Sequence, residues 1–252
     1  MQDELRIIAI RGIGEVKPGA DLPTLILAAL AAQGQVLETG DVLVVTQKIV
    51  SKAEGRIVNP DTIEPSAFAH TLAAQGKKDA HYQELVLRES RRIVKMDRGV
   101  LITETHHGLI CANAGVDESN VAGGKLVTLL PVDSDASAVT LRTSFHAQTG
   151  RDVAVIISDT FGRPWREGQV NIAIGIAGLD PLADYAGIND PHGYTMQASK
   201  IAIGDELASA AELVMGKIDG VPVALIRGYR YTPDDQASAK RLVRNAAADL
   251  FR

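Results

Sequence analysis

Short apolar runs rich in β-branched residues, each followed at once by a polar segment, constrain this chain most. The run Val153–Ser158 precedes the polar segment Asp159–Gly168, and the run Val42–Val45 precedes Thr46–Arg56. Runs of this length and composition predict buried strands, and Val42–Val45, which is apolar on both faces, predicts a central strand. Because such runs alternate irregularly with helical segments, the pattern favours an α+β fold with mixed sheets and flanking helices over a doubly wound sheet.

Capping residues mark the predicted helices. Asp21 predicts the N-cap of a helix that has Pro23 in its first turn and ends near Gln33. Asp133 or Ser134 predicts the start of another. Further helices are predicted at Pro65–Gln75, His81–Ser90, Asp205–Met215 and Pro233–Arg252. Further strands are predicted at Leu5–Ile10, Ile93–Val94, Val100–Ile102, Leu109–Ala112, Val127–Leu130, Val170–Gly178 and Val223–Ile226.

Composition excludes several classes of protein. The 252 residues are 46% hydrophobic and 23% charged, which is ordinary for a globular chain with a buried core. The net charge of -5, with scattered basic residues, gives no footprint for nucleic acid. The longest apolar run, Leu25–Ala32, is too short to span a bilayer. An acidic N-terminus and the single Cys111, which reads as a small buried hydrophobe, lead us to expect a cytoplasmic protein without disulfides.

Two carboxylates suggest chemistry, because Asp117 and Asp159 each follow an apolar strand and each is predicted to lie in a polar turn. Together with the hydroxyl of Thr160 they suit a hard cation such as magnesium or manganese. Asn120 lies close enough in sequence to Asp117 to bond the same ligand. The alternative for each of these residues is that it only hydrogen-bonds its own turn, which is the commoner role of a lone aspartate.

Positively charged side chains near these segments suit an anionic ligand. Lys48 and Lys52 lie four apart, so on a helix they share a face, and Lys52 could reach a phosphate. Their alternative is a solvated helix surface. Arg163 and Arg166 flank Trp165 and could clamp an acidic substrate or simply pair with surface acids.

Three segments, taken together, resemble one known family in order and spacing. They are Ser51–Arg56 after the strand Val42–Val45, then Asn113–Val121, then Ile157–Arg163. This combination is similar to the coenzyme F420-0 gamma-glutamyl ligase family, and the resemblance covers nearly the whole chain. It extends to Met215–Lys217 near the end.

The resemblance implies a reaction and an assembly. GTP and a divalent metal, magnesium or manganese, would drive attachment of L-glutamate to coenzyme F420-0 through an acyl phosphate. The implied fold is α+β, forming an intertwined homodimer, with no nucleic-acid or membrane partner. Residues 1–252 would form a single ligase-type domain, with two subdomains possible, and without the C-terminal flavin-binding domain of some bacterial relatives.

The resemblance also implies the site residues. The metal ligands would be Asp117, Asp159 and Thr160, and catalysis would rest on Asp117, Asp159 and Lys52. The residues implied to contact the nucleotide are Ile13, Gly14, Glu15, Val16, Gln47, Lys52, Asn120, Gly216 and Lys217. Lys217 departs from the family pattern, because a metal ligand is expected at its position. Whether the site takes one metal or two, and whether Lys217 binds phosphate instead, stays open.

Two other functions remain open from the residues alone. A metal-dependent phosphohydrolase acting on nucleotides could use the same carboxylates to activate water. A non-catalytic deazaflavin-binding module is the second alternative. The number of glutamates added and the residues that contact the deazaflavin cannot be inferred from the sequence.

Overall fold

The structure, a computed structural model, describes residues 4–97, 99–118 and 126–249. The strands in these ranges are β1 Arg6–Ile10, β2 Val42–Thr46, β3 Ile57–Val58, β4 Ser90–Asp97, β5 Val100–Thr105, β6 Ile110–Ala112, β7 Val127–Thr128, β8 Ala154–Arg163, β9 Arg166–Ala177, β10 Ala183–Asp184, β11 Lys200–Ile201 and β12 Val223–Arg227. The α-helices are α1 Leu22–Ala32, α2 Gln47–Ala53, α3 Ala67–Gln75, α4 Ala80–Arg88, α5 Ser134–Thr149 and α6 Ile203–Met215. The predicted α+β class is confirmed.

A five-stranded mixed sheet forms the centre of the described structure, in the order β1-β12-β2-β8-β9. Strands β2 and β8 are parallel, and the other neighbouring pairs are antiparallel. The predicted central position of Val42–Val45 is therefore confirmed. With these directions, the carboxyl ends of β1, β2 and β8 lie at one edge of the sheet, beside the start of β12.

Both faces of this sheet are buried, as the alternation along β2 shows. Leu43 and Val45 belong to a hydrophobic cluster that includes residues of α1, α2 and α5, whereas Val42 and Val44 belong to a cluster that includes residues of α6. Full burial of one such side chain contributes about 1.5–3 kcal/mol. The helices therefore cover the sheet in two layers and hold its carboxyl edge in place.

The predicted helix starts are confirmed by their caps. The side chain of Asp21 accepts a hydrogen bond from the Thr24 N–H at 3.3 Å, and that of Asp133 accepts one from the Ala136 N–H at 3.0 Å. The start of α5 packs directly on β9. The approach is so close that a Cβ added to Gly175 would lie 2.2 Å from the Ser134 carbonyl oxygen. Only a glycine at position 175 allows the helix and the strand to approach so closely.

A third, smaller hydrophobic cluster lies away from the main sheet and includes Leu72 of α3, Leu85 of α4 and Leu101 of β5. Tyr82 of α4 ties this cluster to the segment before Asp117, since its hydroxyl donates to the Val116 carbonyl oxygen at 3.0 Å. The backbone beside one predicted metal ligand is thus anchored to this third cluster.

The local structure predicted for the segment after Val153–Ser158 is wrong. Asp159–Gly168 is not a polar turn: β8 continues to Arg163 and pairs with β9, leaving a two-residue turn at Pro164 and Trp165. The segment stays in a strand although its side chains are polar, because β9 supplies hydrogen-bond partners for its backbone.

Pro233–Arg252 is not one helix. Its described part contains short 3₁₀ turns at Ala239–Leu242 and Ala246–Ala248. The side chains of Ser238 and Asn245 accept hydrogen bonds from backbone N–H groups two residues further on, which competes with helix formation. Within the described ranges, no helix combines the length and apolar character that crossing a membrane requires.

Candidate active site

A cleft of about 490 Å³ opens at the carboxyl edge of the central sheet. Most of the residues predicted from the sequence to bind metal or nucleotide line it. The full lining is Gly14, Glu15, Val16, Thr46, Gln47, Lys48, Ile49, Lys52, Ser158, Asp159, Thr160, Asn171, Glu212, Gly216, Lys217, Ile218, Gly220, Val221 and Pro222.

Asp159 is held on β8, where it is paired with Ile172 of β9. Its Oδ1 accepts a hydrogen bond from the Thr160 N–H at 2.8 Å. Loss of hydration raises the pKa of Asp159 to about 7; the negative charge of Asp117 adds to this, while Lys48 and Lys217 oppose it. A carboxylate that loses hydration in this way is stabilised by a nearby cation.

Asp117 lies on a separate segment. Its backbone forms an isolated bridge with Thr128, with N–H to carbonyl distances of 3.0 and 2.8 Å, so the residue is not in the predicted turn. Its Oδ2 is 2.9 Å from Lys48 Nζ. Asp117 is not among the residues that line the cleft, but its charge acts on Asp159.

Helix α2 places both of its lysines in the cleft. Lys48 contacts Asp117, and Lys52 Nζ lies 2.6 Å from Glu15 Oε1. The alternative of a solvated surface is wrong for Lys52, which is only 5% exposed. Because a buried ammonium needs a negative partner, this lysine is suited to hold a carboxylate or a phosphate.

The glycine-punctuated loop after β1 forms one wall. Gly14, with φ of 69°, adopts a backbone conformation that favours glycine, and Glu15 and Val16 follow it along the cleft. Ile13, at 6% exposure, points into the hydrophobic core, and no part of it lines the cleft.

Two polar groups in the cleft lining are buried without partners among the described residues. They are the Nε2 of Gln47, at the start of α2, and the Oγ of Ser158, directly before Asp159. Buried polar atoms are normally hydrogen-bonded, so such exceptions are frequent where a ligand or water binds.

Sequence reasoning missed Asn171 and Glu212. Asn171 is 2% exposed on β9; its Oδ1 accepts from the Thr160 hydroxyl at 2.8 Å, and its Nδ2 donates to Glu212 Oε2 at 2.8 Å. A lone asparagine beginning an otherwise apolar run was the available signal for one partner. Nothing in the sequence indicated that Glu212 of α6 would meet it.

The turn after α6 brings Lys217 close to the Thr160 hydroxyl, which also contacts Asn171. Gly216 ends the helix with φ of 63°, and a Cβ there would come 2.0 Å from Asp219 Oδ2. Lys217 Nζ lies 3.4 Å from Thr160 Oγ1. Thr160, a predicted metal ligand, therefore lies beside Gly216 and Lys217, which are predicted to contact the nucleotide.

The two arginines predicted to bind the acidic substrate lie apart from the residues that line the cleft. Arg163 and Arg166 stand at the end of the β8–β9 hairpin, where the Arg163 guanidinium donates to the Glu167 carbonyl oxygen. Neither arginine lines the cleft, and their role in substrate binding stays a prediction. Asn120 lies outside the described residues.

The donor set fits a hard divalent cation that also binds a ligand. Among the described residues, no three His, Cys, Asp or Glu side chains form a metal-binding group by themselves. Asp117, Asp159 and the Thr160 hydroxyl supply oxygen atoms, and phosphate oxygens and water would complete the coordination. Burial and the Asp159 charge raise the pKa of Cys111 to about 12, so no thiolate is available as a nucleophile at neutral pH.

Comparison with known proteins identifies the family. A family model described as F420-0:Gamma-glutamyl ligase matches residues 12–228. A protein named coenzyme F420:L-glutamate ligase from Methanothermobacter thermautotrophicus is 44% identical over 98% of this chain and 99% of its own length. Proteins of the same name from Methanopyrus kandleri and Methanocaldococcus jannaschii are 44% and 42% identical, over 98% and 90% of each chain. The chain therefore belongs to the F420-0:gamma-glutamyl ligase family.

Proposed function

We propose that this protein is a GTP-dependent ligase that joins L-glutamate to coenzyme F420-0, with further gamma-linked glutamates added in the same way. The names of its relatives supply the substrates. The observation that carries the proposal is the meeting of Asp159, Thr160 and Lys52 in one cleft at the carboxyl edge of the sheet. Oxygen donors beside lysines are what transfer of a phosphoryl group requires.

The reaction proceeds in two steps, because a carboxylate is a poor acyl donor. A carboxylate oxygen of F420-0 attacks the γ-phosphorus of GTP, the bond to the bridging oxygen breaks, and GDP leaves. The amine of glutamate then attacks the acyl phosphate carbon, inorganic phosphate leaves, and the nitrogen loses a proton to give the amide. The atoms of GTP, glutamate and F420-0 are balanced by GDP, phosphate and the glutamyl product.

The residues of the cleft bind and orient these groups. Lys52 and Lys48, now paired with Glu15 and Asp117, would share their charge with phosphate oxygens. The buried Gln47 Nε2, which has no partner among the described residues, would donate to the nucleotide. A magnesium or manganese ion held by Asp117, Asp159 and Thr160 would neutralise charge that develops on the transferred phosphoryl group.

Nucleotide contacts also involve the walls of the cleft. Backbone N–H groups of Gly14, Glu15 and Val16 would approach one side of the nucleotide, and Gly216 and Lys217 the other. Arg163 and Arg166, at the hairpin end, are assigned to the acidic substrate. The working unit is a homodimer located in the cytoplasm.

Mass spectrometry of F420-0 incubated with the protein, GTP, L-glutamate and manganese tests the function. We expect mass additions of whole glutamyl units that require every component, with GDP formed for each addition. GTP consumption that needs neither glutamate nor F420-0, without any addition, would identify a phosphohydrolase. Binding of F420-0 that is indifferent to GTP and metal, without turnover, would identify a non-catalytic binding module.

A further inference from the structure

A chain of hydrogen bonds fixes which way the Thr160 hydroxyl points. The carboxylate of Glu212 only accepts, so the Asn171 amide must turn its Nδ2 towards it, at 2.8 Å. The Oδ1 of Asn171 therefore faces Thr160 and accepts the hydroxyl proton, also at 2.8 Å. Because Asn171 is 2% exposed, water cannot take over either bond.

The consequence is that both lone pairs of the Thr160 oxygen are left for positive charge. One side of this oxygen faces Lys217, whose Nζ is 3.4 Å away and has protons to donate but nothing to accept. Lys217 is an exposed residue, and it meets the cleft lining at the oriented Thr160 hydroxyl.

The other lysines of the cleft are held differently. Lys48 and Lys52 each contact a carboxylate, at 2.9 and 2.6 Å. Within the described ranges, no carboxylate oxygen forms a salt bridge with Lys217. Its charge is therefore directed at the hydroxyl and at whatever binds in the cleft.

We propose that Lys217 is a cation of this active site and faces the Thr160 hydroxyl that Asn171 and Glu212 orient. This inference rests on the proposed function, in which Asp117, Asp159 and Thr160 hold one divalent ion. The ammonium takes the remaining side of the Thr160 oxygen and repels a second divalent ion there. The site therefore binds phosphate with one divalent ion, and Lys217 takes the place of a second ion.

Manganese bound per chain, measured by the electron paramagnetic resonance of free Mn²⁺ with saturating GDP, tests the count. We expect one ion for the native protein and for Lys217→Arg, which keeps the charge. Lys217→Gln should take up a second ion at least about tenfold more tightly than the native protein does. Lys95→Gln, which removes a lysine from the exposed strand β4, is the matched control and should behave as the native protein.

Metal-free GDP binding, measured by calorimetry in EDTA, tests the orientation. Lys217→Gln should weaken binding about tenfold, since a charge-assisted contact to phosphate is lost. Glu212→Gln places an amide that can donate beside Asn171, so the Asn171 side chain can turn over. The Thr160 hydroxyl then loses its acceptor, and its proton can point at Lys217. We expect that variant to bind metal-free GDP about threefold more weakly. Because Glu212 is partly exposed, the variant is expected to fold.

Two manganese ions of comparable affinity on the native protein would overturn this inference while leaving the proposed function intact. Unchanged metal-free GDP binding in both Lys217→Gln and Glu212→Gln would also overturn it. A native protein that binds neither GDP nor manganese would overturn the proposed function, and this inference with it.

Discussion

The two ends of the central sheet carry similar polar side chains, but these side chains are fully hydrogen-bonded at one end and incompletely bonded at the other. At the amino end of β2, the carboxylate of Asp41 accepts from two guanidinium nitrogens of Arg227, at 2.8 and 2.7 Å, and from the Glu38 N–H at 2.8 Å. At the carboxyl end, loss of hydration raises the pKa of Asp159 to about 7. The buried Ser158 Oγ beside it has no partner among the described residues.

The difference teaches how to separate polar residues that stabilise from polar residues that function. A buried ion pair with all its hydrogen bonds made is complete and has little left to offer a ligand. Polar groups that are buried and incompletely bonded are costly in the free protein, and a ligand relieves that cost. The comparison predicts that mutations at the amino end change stability, whereas mutations at the carboxyl end change activity.

The largest expected effect is at the amino end. Arg227→Met should lower the free energy of unfolding by about 3–5 kcal/mol, because it leaves the Asp41 carboxylate buried without its partner. Urea denaturation measures this loss. The double variant with Asp41→Asn should recover part of it, since the stranded charge is then removed. A loss below about 1 kcal/mol, the range of exposed pairs, would break the comparison.

Asp159→Asn tests the carboxyl end. We expect ligation to fall at least about a hundredfold, the effect of losing one well-placed electrostatic group. The free energy of unfolding of the metal-free protein should not fall, because the variant removes a charge that burial disfavours. Asp184→Asn, an exposed aspartate paired with Lys200, is the control and should change neither quantity. Near-normal turnover in Asp159→Asn would contradict the metal assignment.

The pKa of Asp159 gives a pH dependence with a definite sign. Between its ordinary value of 3.8 and about 7, the folded protein binds a proton that the unfolded chain has released, so stability falls as pH rises through this window. In EDTA, the free energy of unfolding of Asp159→Asn should therefore exceed that of the native protein by about 4 kcal/mol at pH 8 and match it near pH 4. Chemical denaturation of both proteins across this range measures the difference. A constant difference at all pH values would contradict the assignment.

The smallest effect is expected from Glu38→Gln. Glu38 also contacts Arg227, at 2.7 Å, but its side chain is 58% exposed. Exposed ion pairs contribute about 0–1 kcal/mol, so we expect a loss within about 0.5 kcal/mol. Thermal unfolding of this variant beside Arg227→Met measures how much of the network depends on its buried part. A loss as large as that of Arg227→Met would show that exposure does not distinguish the weak contacts of this network from the strong ones.

Local signals in the sequence predicted much of the fold. The caps at Asp21 and Asp133 and the central strand Val42–Val45 depend on residues within a few positions of one another, and all are confirmed. The sharing of one cleft by Asp159 and Lys52 followed from the family resemblance rather than from spacing.

Contacts between distant residues were not predictable in the same way. Asn171 and Glu212 are 41 positions apart, so their hydrogen bond depends on how α6 packs against β9. Polar residues from Asp159 onward suggested a turn, but pairing with β9 kept them in a strand. Tertiary partners decided both cases.

The two carboxylates assigned to the cation belong to different parts of the packing. Asp159 stands on the central sheet, whereas Asp117 follows Val116, a member of the third hydrophobic cluster that Tyr82 anchors. An ion bound by both carboxylates would link the central sheet to the third hydrophobic cluster. Any opening that loosens the smaller core would remove one ligand and leave Asp159 in place. The frequency of such openings would therefore limit the residence time of the ion.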